Sequence, residues 1–125
     1  MVKNKKTIVF LEDEPELLTT VSLILRDQGY LVLDAKKAED ALTMIQKSVP
    51  DLILADIKLP GIDGFDFFDR VRKMENCAAI PFVFLTAYNN LKAMKNAKKH
   101  GAAEYITKPF DFEFLVTRIR DLVPP

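Results

Sequence analysis

The strongest constraint on this chain is a rhythm. Short, continuously apolar runs alternate with longer stretches of helical period, five times over, within 125 residues. The runs are Thr7 to Leu11, Tyr30 to Asp34, Asp51 to Ala55, Pro81 to Thr86 and Ala103 to Ile106. "TIVFL" and "PFVFLT" do not alternate apolar with polar residues, so neither face of such a strand suits water; a parallel sheet covered on both sides is the structure that accepts them. The stretches between are Glu14 to Gln28, Ala38 to Ser48, Phe65 to Met74, Leu91 to Lys99 and Phe112 to Val123. They carry apolar residues three and four apart, as in Leu17, Leu18, Val21, Ile24 and Leu25, or Phe112, Leu115, Ile119 and Val123. Gly29 and Gly101 stand where helices should end. Each parallel connection needs a right-handed crossover, so the pattern predicts an α/β fold: a flavodoxin-like (βα)5 three-layer sandwich with strand order 2-1-3-4-5.

With 49% apolar residues the chain can bury a core, and its length fits one domain spanning residues 1–125. Its formal net charge is zero, which gives no broad electrostatic footprint for nucleic acid or an anionic membrane. No run approaches the roughly 18 apolar residues of a membrane span. Cys77 is the only cysteine, so neither an internal disulfide nor a zinc cluster is available, and its reading is a passive loop thiol. A cytoplasmic protein is expected.

In a sheet of this order, sites form beyond the carboxyl ends of the strands, where strand order reverses. The first strand runs into Glu12 and Asp13, the third into Asp56, the fourth ends on Thr86, and the fifth is followed by Lys108 and Pro109. The first and third strands are neighbours, so three carboxylates converge. Clustered carboxylates repel and call for a hard cation, for which oxygen-loving Mg2+ is the natural choice. A carboxylate there can attack a phosphoryl group, and Asp56 is the candidate nucleophile. Lys108 and the Thr86 hydroxyl could each receive a phosphoryl oxygen.

"LEDE", "DLILADIKLPGIDG", "VFLTA" and "GAAEYITKPF", in this order and at these strand ends, resemble the receiver domain of two-component response regulators over nearly the whole chain. The resemblance implies that Asp56 takes a phosphoryl group from the phosphohistidine of a sensor histidine kinase or phosphotransfer protein. Asp13, Asp56 and the backbone carbonyl of Lys58 would ligate Mg2+ or Mn2+, with Glu12 acting through bound water. Lys108 would pair with phosphoryl oxygens and join Pro109 by a cis peptide. Thr86 and Tyr105 would form the switch, read out on the fourth helix, fifth strand and fifth helix by a downstream protein or fused output domain. The protein would be a monomer or a phosphorylation-dependent dimer, without direct nucleic-acid binding, and not an enzyme on external substrates.

Three residues depart from the commonest family pattern. Glu12 replaces the more usual Asp, Lys58 stands where a hydrophobic residue is frequent, and Tyr88 lies two positions after Thr86. Lys58 and Tyr88 are candidate modulators of phosphoryl lifetime. Two other functions compete. A phosphatase of the haloacid dehalogenase type would want a second Asp two positions after the nucleophile, where Lys58 stands. A receiver that only binds partners would be expected to have lost Asp56, Lys108 or an acid of the Glu12 and Asp13 pair. Beyond the site, His100 reads as a helix-end residue facing the dipole, and Lys92, Lys95, Lys98 and Lys99 read as a basic face. "FDFFDRV" holds more aromatics than one buried stripe needs.

Overall fold

The computed structural model describes residues 5–87 and 91–125. Its strands are β1 (Thr7–Leu11), β2 (Leu31–Ala35), β3 (Leu52–Ala55), β4 (Phe82–Thr86) and β5 (Glu104–Thr107). Its helices are α1 (Pro15–Asp27), α2 (Ala38–Lys47), α3 (Gly64–Arg72), α4 (Leu91–His100) and α5 (Phe112–Leu122). All strand pairs are parallel and the order is β2-β1-β3-β4-β5, the flavodoxin-like layout that the apolar runs predict.

Two cores explain why the strands are apolar throughout. Val9, Leu11, Ile53 and Ala55 face one way with Phe82 and Phe84, under Ala41 and Ile45 of α2, Phe67 and Phe68 of α3 and Ala97 of α4. Ile8, Phe10, Leu52, Leu54, Val83 and Leu85 face the other way, under Leu18, Val21 and Leu25 of α1 and Leu115 and Ile119 of α5. Successive strand residues point to opposite faces, and each face is covered by helices, so both must be apolar.

Several expected boundaries shift by a residue or two. The run Tyr30 to Asp34 becomes Leu31–Ala35, because the Tyr30 N–H turns back to the Leu25 carbonyl at 3.2 Å and its hydroxyl donates to the Val123 carbonyl. That residue closes α1 instead of opening a strand. The stretch Phe65 to Met74 becomes Gly64–Arg72, since Asp63 caps the start by accepting from the Asp66 N–H at 2.9 Å. Phe112, expected on the inner stripe of the last helix, is 41% exposed and meets Phe110 edge-on at 5.4 Å. In "FDFFDRV", Phe67 and Phe68 are buried and Phe65 is half-buried. Cys77 does sit in a loop, but buried.

Ser22 lies on the inner face of α1, fully buried, and its hydroxyl has no hydrogen-bond partner among the described residues. A buried hydroxyl without a partner costs on the order of 1 to 3 kcal/mol, and alanine is the better helix former. Ser22→Ala is therefore expected to stabilise the fold by about 1 kcal/mol, read as a higher urea midpoint at unchanged slope.

Candidate functional site

The sheet itself fixes the backbone of the site. One rung beyond each strand, the Glu12 N–H donates to the Ala35 carbonyl at 3.0 Å, the Asp56 N–H to the Leu11 carbonyl at 3.0 Å, and the Lys108 N–H to the Thr86 carbonyl at 2.8 Å. Glu12 and Asp56 thus leave the carboxyl edge of the adjacent strands β1 and β3, and Lys108 leaves the same edge after β5, across β4. Their side chains meet. The Lys108 ammonium lies 2.8 Å from Glu12 Oε1 and 2.8 Å from Asp56 Oδ2. The remaining oxygens are also engaged: Glu12 Oε2 accepts from the Glu14 N–H at 3.2 Å, and Asp56 Oδ1 from the Lys58 N–H at 3.2 Å.

Burial makes these contacts strong. Glu12 is fully buried, Asp56 is 5% exposed, and Thr86 closes the end of β4 at 1%. Desolvation holds the Glu12 carboxyl above its ordinary range, and the Asp56 charge pushes the same way against the Lys108 and Glu14 hydrogen bonds. Burial pulls the Lys108 ammonium down, but hydrogen bonds to Asp56 and Glu12, with their charges, outweigh it and leave the amine above its usual value. Lys108 is therefore a firmly protonated cation between two carboxylates. The Lys108–Pro109 peptide is cis.

A cleft of about 370 Å³ opens beside this pair, lined by Asp13, Asp56, Lys58, Leu59, Pro60 and Thr86. Asp13 and Lys58 are exposed at its rim. Glu12, Asp13 and Asp56 each turn an oxygen to within 4.8 Å of the others. The three carboxylates outnumber the Lys108 ammonium bonded among them and the Lys58 ammonium exposed at the rim, and the donors are all hard oxygens with no His or Cys among them. This set fits Mg2+ or Mn2+ and does not fit zinc.

Tyr105 is half-buried on β5, with its ring 6.5 Å from that of Phe84. Tyr88 lies outside the described residues. Two contributors were not visible in the sequence. Gly64 opens α3 against the Asp56 and Ile57 backbone: a Cβ on it would lie 2.3 Å from the Asp56 carbonyl oxygen and 2.6 Å from Ile57 Cα. Its N–H donates to the Ile57 carbonyl at 2.6 Å. The spacing "DIKLPGIDG" holds two glycines, but nothing local says which one must pass over the strand end. His100 does more than face a helix dipole. Its ring stacks on Phe65 of α3 at 5.3 Å, and its Nδ1 lies 2.8 Å from Asp69 Oδ1.

Comparison with known proteins gives one consistent result. The response regulator receiver domain family matches residues 8–120. The DNA-binding dual master transcriptional regulator RpaA of Synechocystis is 35% identical over 116 residues, which cover 93% of this chain and 48% of that protein. The phosphate regulon transcriptional regulatory protein PhoB of Pseudomonas aeruginosa is 35% identical over 115 residues, covering 92% of this chain and 50% of that protein. The chain thus spans about half the length of these regulators. Among solved structures, chemotaxis protein CheY4 of Vibrio cholerae superposes with a TM-score of 0.90 at 28% identity, covering 96% of this chain and 100% of that one. The non-phosphorylated HemR receiver domain of Leptospira biflexa gives 0.89 at 30% identity, covering 97% and 96%.

Proposed function

The chain belongs to the response regulator receiver domain family, and from that premise we propose that Asp56 is a phosphoacceptor whose modification switches the surface formed by α4, β5 and α5. The observation that carries this reading is the Lys108 ammonium held 2.8 Å from the Asp56 carboxylate at the mouth of an acid-lined cleft.

The donor is the phosphohistidine of a sensor histidine kinase or phosphotransfer protein. An Asp56 oxygen attacks phosphorus; the P–N bond breaks, its electron pair stays on the imidazole nitrogen, and an acyl phosphate forms. Lys108 exchanges its contact with the Asp56 carboxylate for one with a phosphoryl oxygen, so its positive charge follows the charge that moves. The Thr86 hydroxyl turns toward another phosphoryl oxygen, and Tyr105, beside Phe84, takes up the space released. Asp13, Asp56 and the Lys58 carbonyl would hold Mg2+ or Mn2+, with Glu12 beyond them. The bound ion supplies charge neutralisation for the incoming phosphoryl oxygens. Hydrolysis returns the carboxylate and inorganic phosphate; the chain catalyses its own phosphorylation and dephosphorylation and serves as a switch rather than as an enzyme on a separate substrate. The switch works by favouring one of two packings already accessible to the α4, β5 and α5 face.

This reading makes residues 1–125 a single cytoplasmic receiver domain. Its output is a protein contact or a fused domain, and it is a monomer or a phosphorylation-dependent dimer without direct nucleic-acid binding. Among the described residues, no helix is long and apolar enough to cross a membrane. Incubation with acetyl phosphate and Mg2+ is expected to add one phosphoryl group to the intact protein, and none to Asp56→Asn. An adduct that persists in Asp56→Asn would move the site elsewhere.

Lys58, exposed at the cleft rim, is placed to cover the acyl phosphate, and Tyr88 is assigned with it to limit access of water. The double variant Lys58→Met with Tyr88→Ala is expected to lose phosphate about tenfold faster, equivalent to about 1.4 kcal/mol of barrier. An unchanged dephosphorylation rate would remove both residues from that role.

A further inference from the structure

We propose that Arg26 closes the free edge of the sheet at β2, and that the edge it covers is a latent pairing surface for a second copy of this chain. The contact exists in the unphosphorylated protein and stands apart from the chemistry at Asp56.

β2 ends the sheet on one side and pairs only with β1. The Leu31 N–H donates to the Lys6 carbonyl at 2.9 Å, and the Ala35 carbonyl accepts from the Glu12 N–H at 3.0 Å. Peptide groups alternate in direction along a parallel strand, so those of Leu31, Leu33 and Ala35 face β1 and those of Val32 and Asp34 face outward. An outward row of N–H and C=O groups is a template for another strand. There is room for one: a groove of about 570 Å³ lies here, lined among others by Leu18 of α1, Asp34 of β2, and Met44 and Lys47 of α2.

The last turn of α1 sends Arg26 across that template. Its Nη2 donates to the Val32 carbonyl at 2.9 Å and lies 3.4 Å from Asp34 Oδ2. One guanidinium thus meets both outward residues, taking the backbone acceptor of one and the carboxylate of the other. A planar fork of donors that stays charged suits this double contact. At the opposite edge Arg118 of α5 bonds Glu104 of β5 at 2.8 and 3.2 Å, so each free edge receives an arginine from the helix beside it.

Uncovered, the β2 edge would match itself. Two copies of β2 related by a two-fold axis through Leu33 run antiparallel, with Val32 of each opposite Asp34 of the other. Both residues are outward, so each such pair exchanges N–H···O bonds in both directions. Leu33, half-buried, would face its own counterpart, and Leu31, 47% exposed, would leave water. A two-fold contact closes at a dimer. Apart from Arg26, the Asp34 carboxylates oppose it, since they become diagonal neighbours across the junction.

Sedimentation velocity on the full chain, without a phosphoryl donor, tests this. The parent and Asp34→Thr, in which Arg26 keeps the Val32 carbonyl, are expected to stay monomeric. Arg26→Ala combined with Asp34→Thr removes both the cover and the repulsion. It is expected to dimerise at least about tenfold more tightly than the parent, with amide exchange at positions 32 and 34 slowing as the dimer fills. Arg26→Ala alone is expected to fall between. Arg26→Ala with Asp34→Pro deletes an outward N–H without touching a bond to β1, and is expected to be monomeric again. Arg26 is 45% exposed, so both double variants are expected to keep a urea midpoint near the parent's. A monomeric Arg26→Ala with Asp34→Thr, or a parent that already associates as tightly, overturns the proposal. Association that survives Asp34→Pro, or that grows past a dimer, places the contact away from paired β2 edges and overturns it as well. A midpoint that collapses in both double variants makes Arg26 a stabilising residue and not a cover.

Discussion

Gly64→Ala is expected to unfold more of this protein's stability than any other single-methyl change at the site, and to remove its phosphorylation as well. The added Cβ would stand 2.3 Å from the Asp56 carbonyl oxygen and 2.6 Å from Ile57 Cα. Both are backbone atoms at the end of a buried central strand, and neither can swing away as a side chain would. The start of α3 must back off instead, which breaks the Gly64 N–H to Ile57 carbonyl bond and disturbs the turn in which Asp56 Oδ1 accepts from the Lys58 N–H. Overpacking of this kind costs about 3 kcal/mol. A shift near an ångström at the attacking carboxylate costs on the order of 100-fold in rate. Urea denaturation and the initial rate of phosphorylation by acetyl phosphate measure the two effects. Gly101→Ala is the control. Its φ of +91° makes alanine strained, but no atom of the described residues lies within 4 Å, so about 1 kcal/mol is lost and phosphorylation is kept.

Lys108→Met is expected to make the fold depend on divalent metal. The ammonium is bonded to both Glu12 and Asp56, which are buried, so its removal leaves two carboxylates facing each other without a counter-charge. Breaking a buried pair by removing one partner costs about 3 kcal/mol. Protonation is the carboxylates' one internal escape, and Glu12 already leans that way because burial raises it. Magnesium offers another. Binding at 100 times the dissociation constant stabilises by about 2.7 kcal/mol, close to what the substitution removes. The urea midpoint of Lys108→Met should therefore fall well below the parent's without magnesium and recover most of the difference with it. Equal deficits in both conditions would argue against metal binding by this acid set.

The fold was legible because its signal is local and repeated. Continuous apolar runs such as "TIVFL" and "PFVFLT" fit a parallel sheet with helices on both faces, and the order β2-β1-β3-β4-β5 follows from crossover handedness and the usual layout of five strands. Glu12, Asp56 and Thr86 were legible as site candidates because each ends a strand, and parallel strands all end on one edge. Other features arise only when separate elements meet. Tyr30 reads as a strand opener until the Leu25 carbonyl claims its N–H. Phe112 fits the inner spacing of α5, yet Asp111 caps the helix so that Leu115 and Ile119 face the core. Gly64 has a negative φ and no local signature, since what demands glycine there is the strand passing under it. His100 and Asp69 lie on different helices, and no periodicity could pair them. The direct contact of Glu12 with the Lys108 ammonium joins residues 96 positions apart, fixed by distance across the sheet edge and by nothing local.

The central claim is that Asp56 carries the phosphoryl group, and the most direct measurement traps it there. Acetyl phosphate and Mg2+ are added, the acyl phosphate is reduced with borohydride, and the protein is digested for peptide mass mapping. Reduction cleaves the acyl–oxygen bond and leaves a homoserine where the modified aspartate stood. The account predicts homoserine at position 56, only when Mg2+ is present, with Asp13 unaltered. Homoserine at another aspartate, or at position 56 to the same extent without Mg2+, would contradict it.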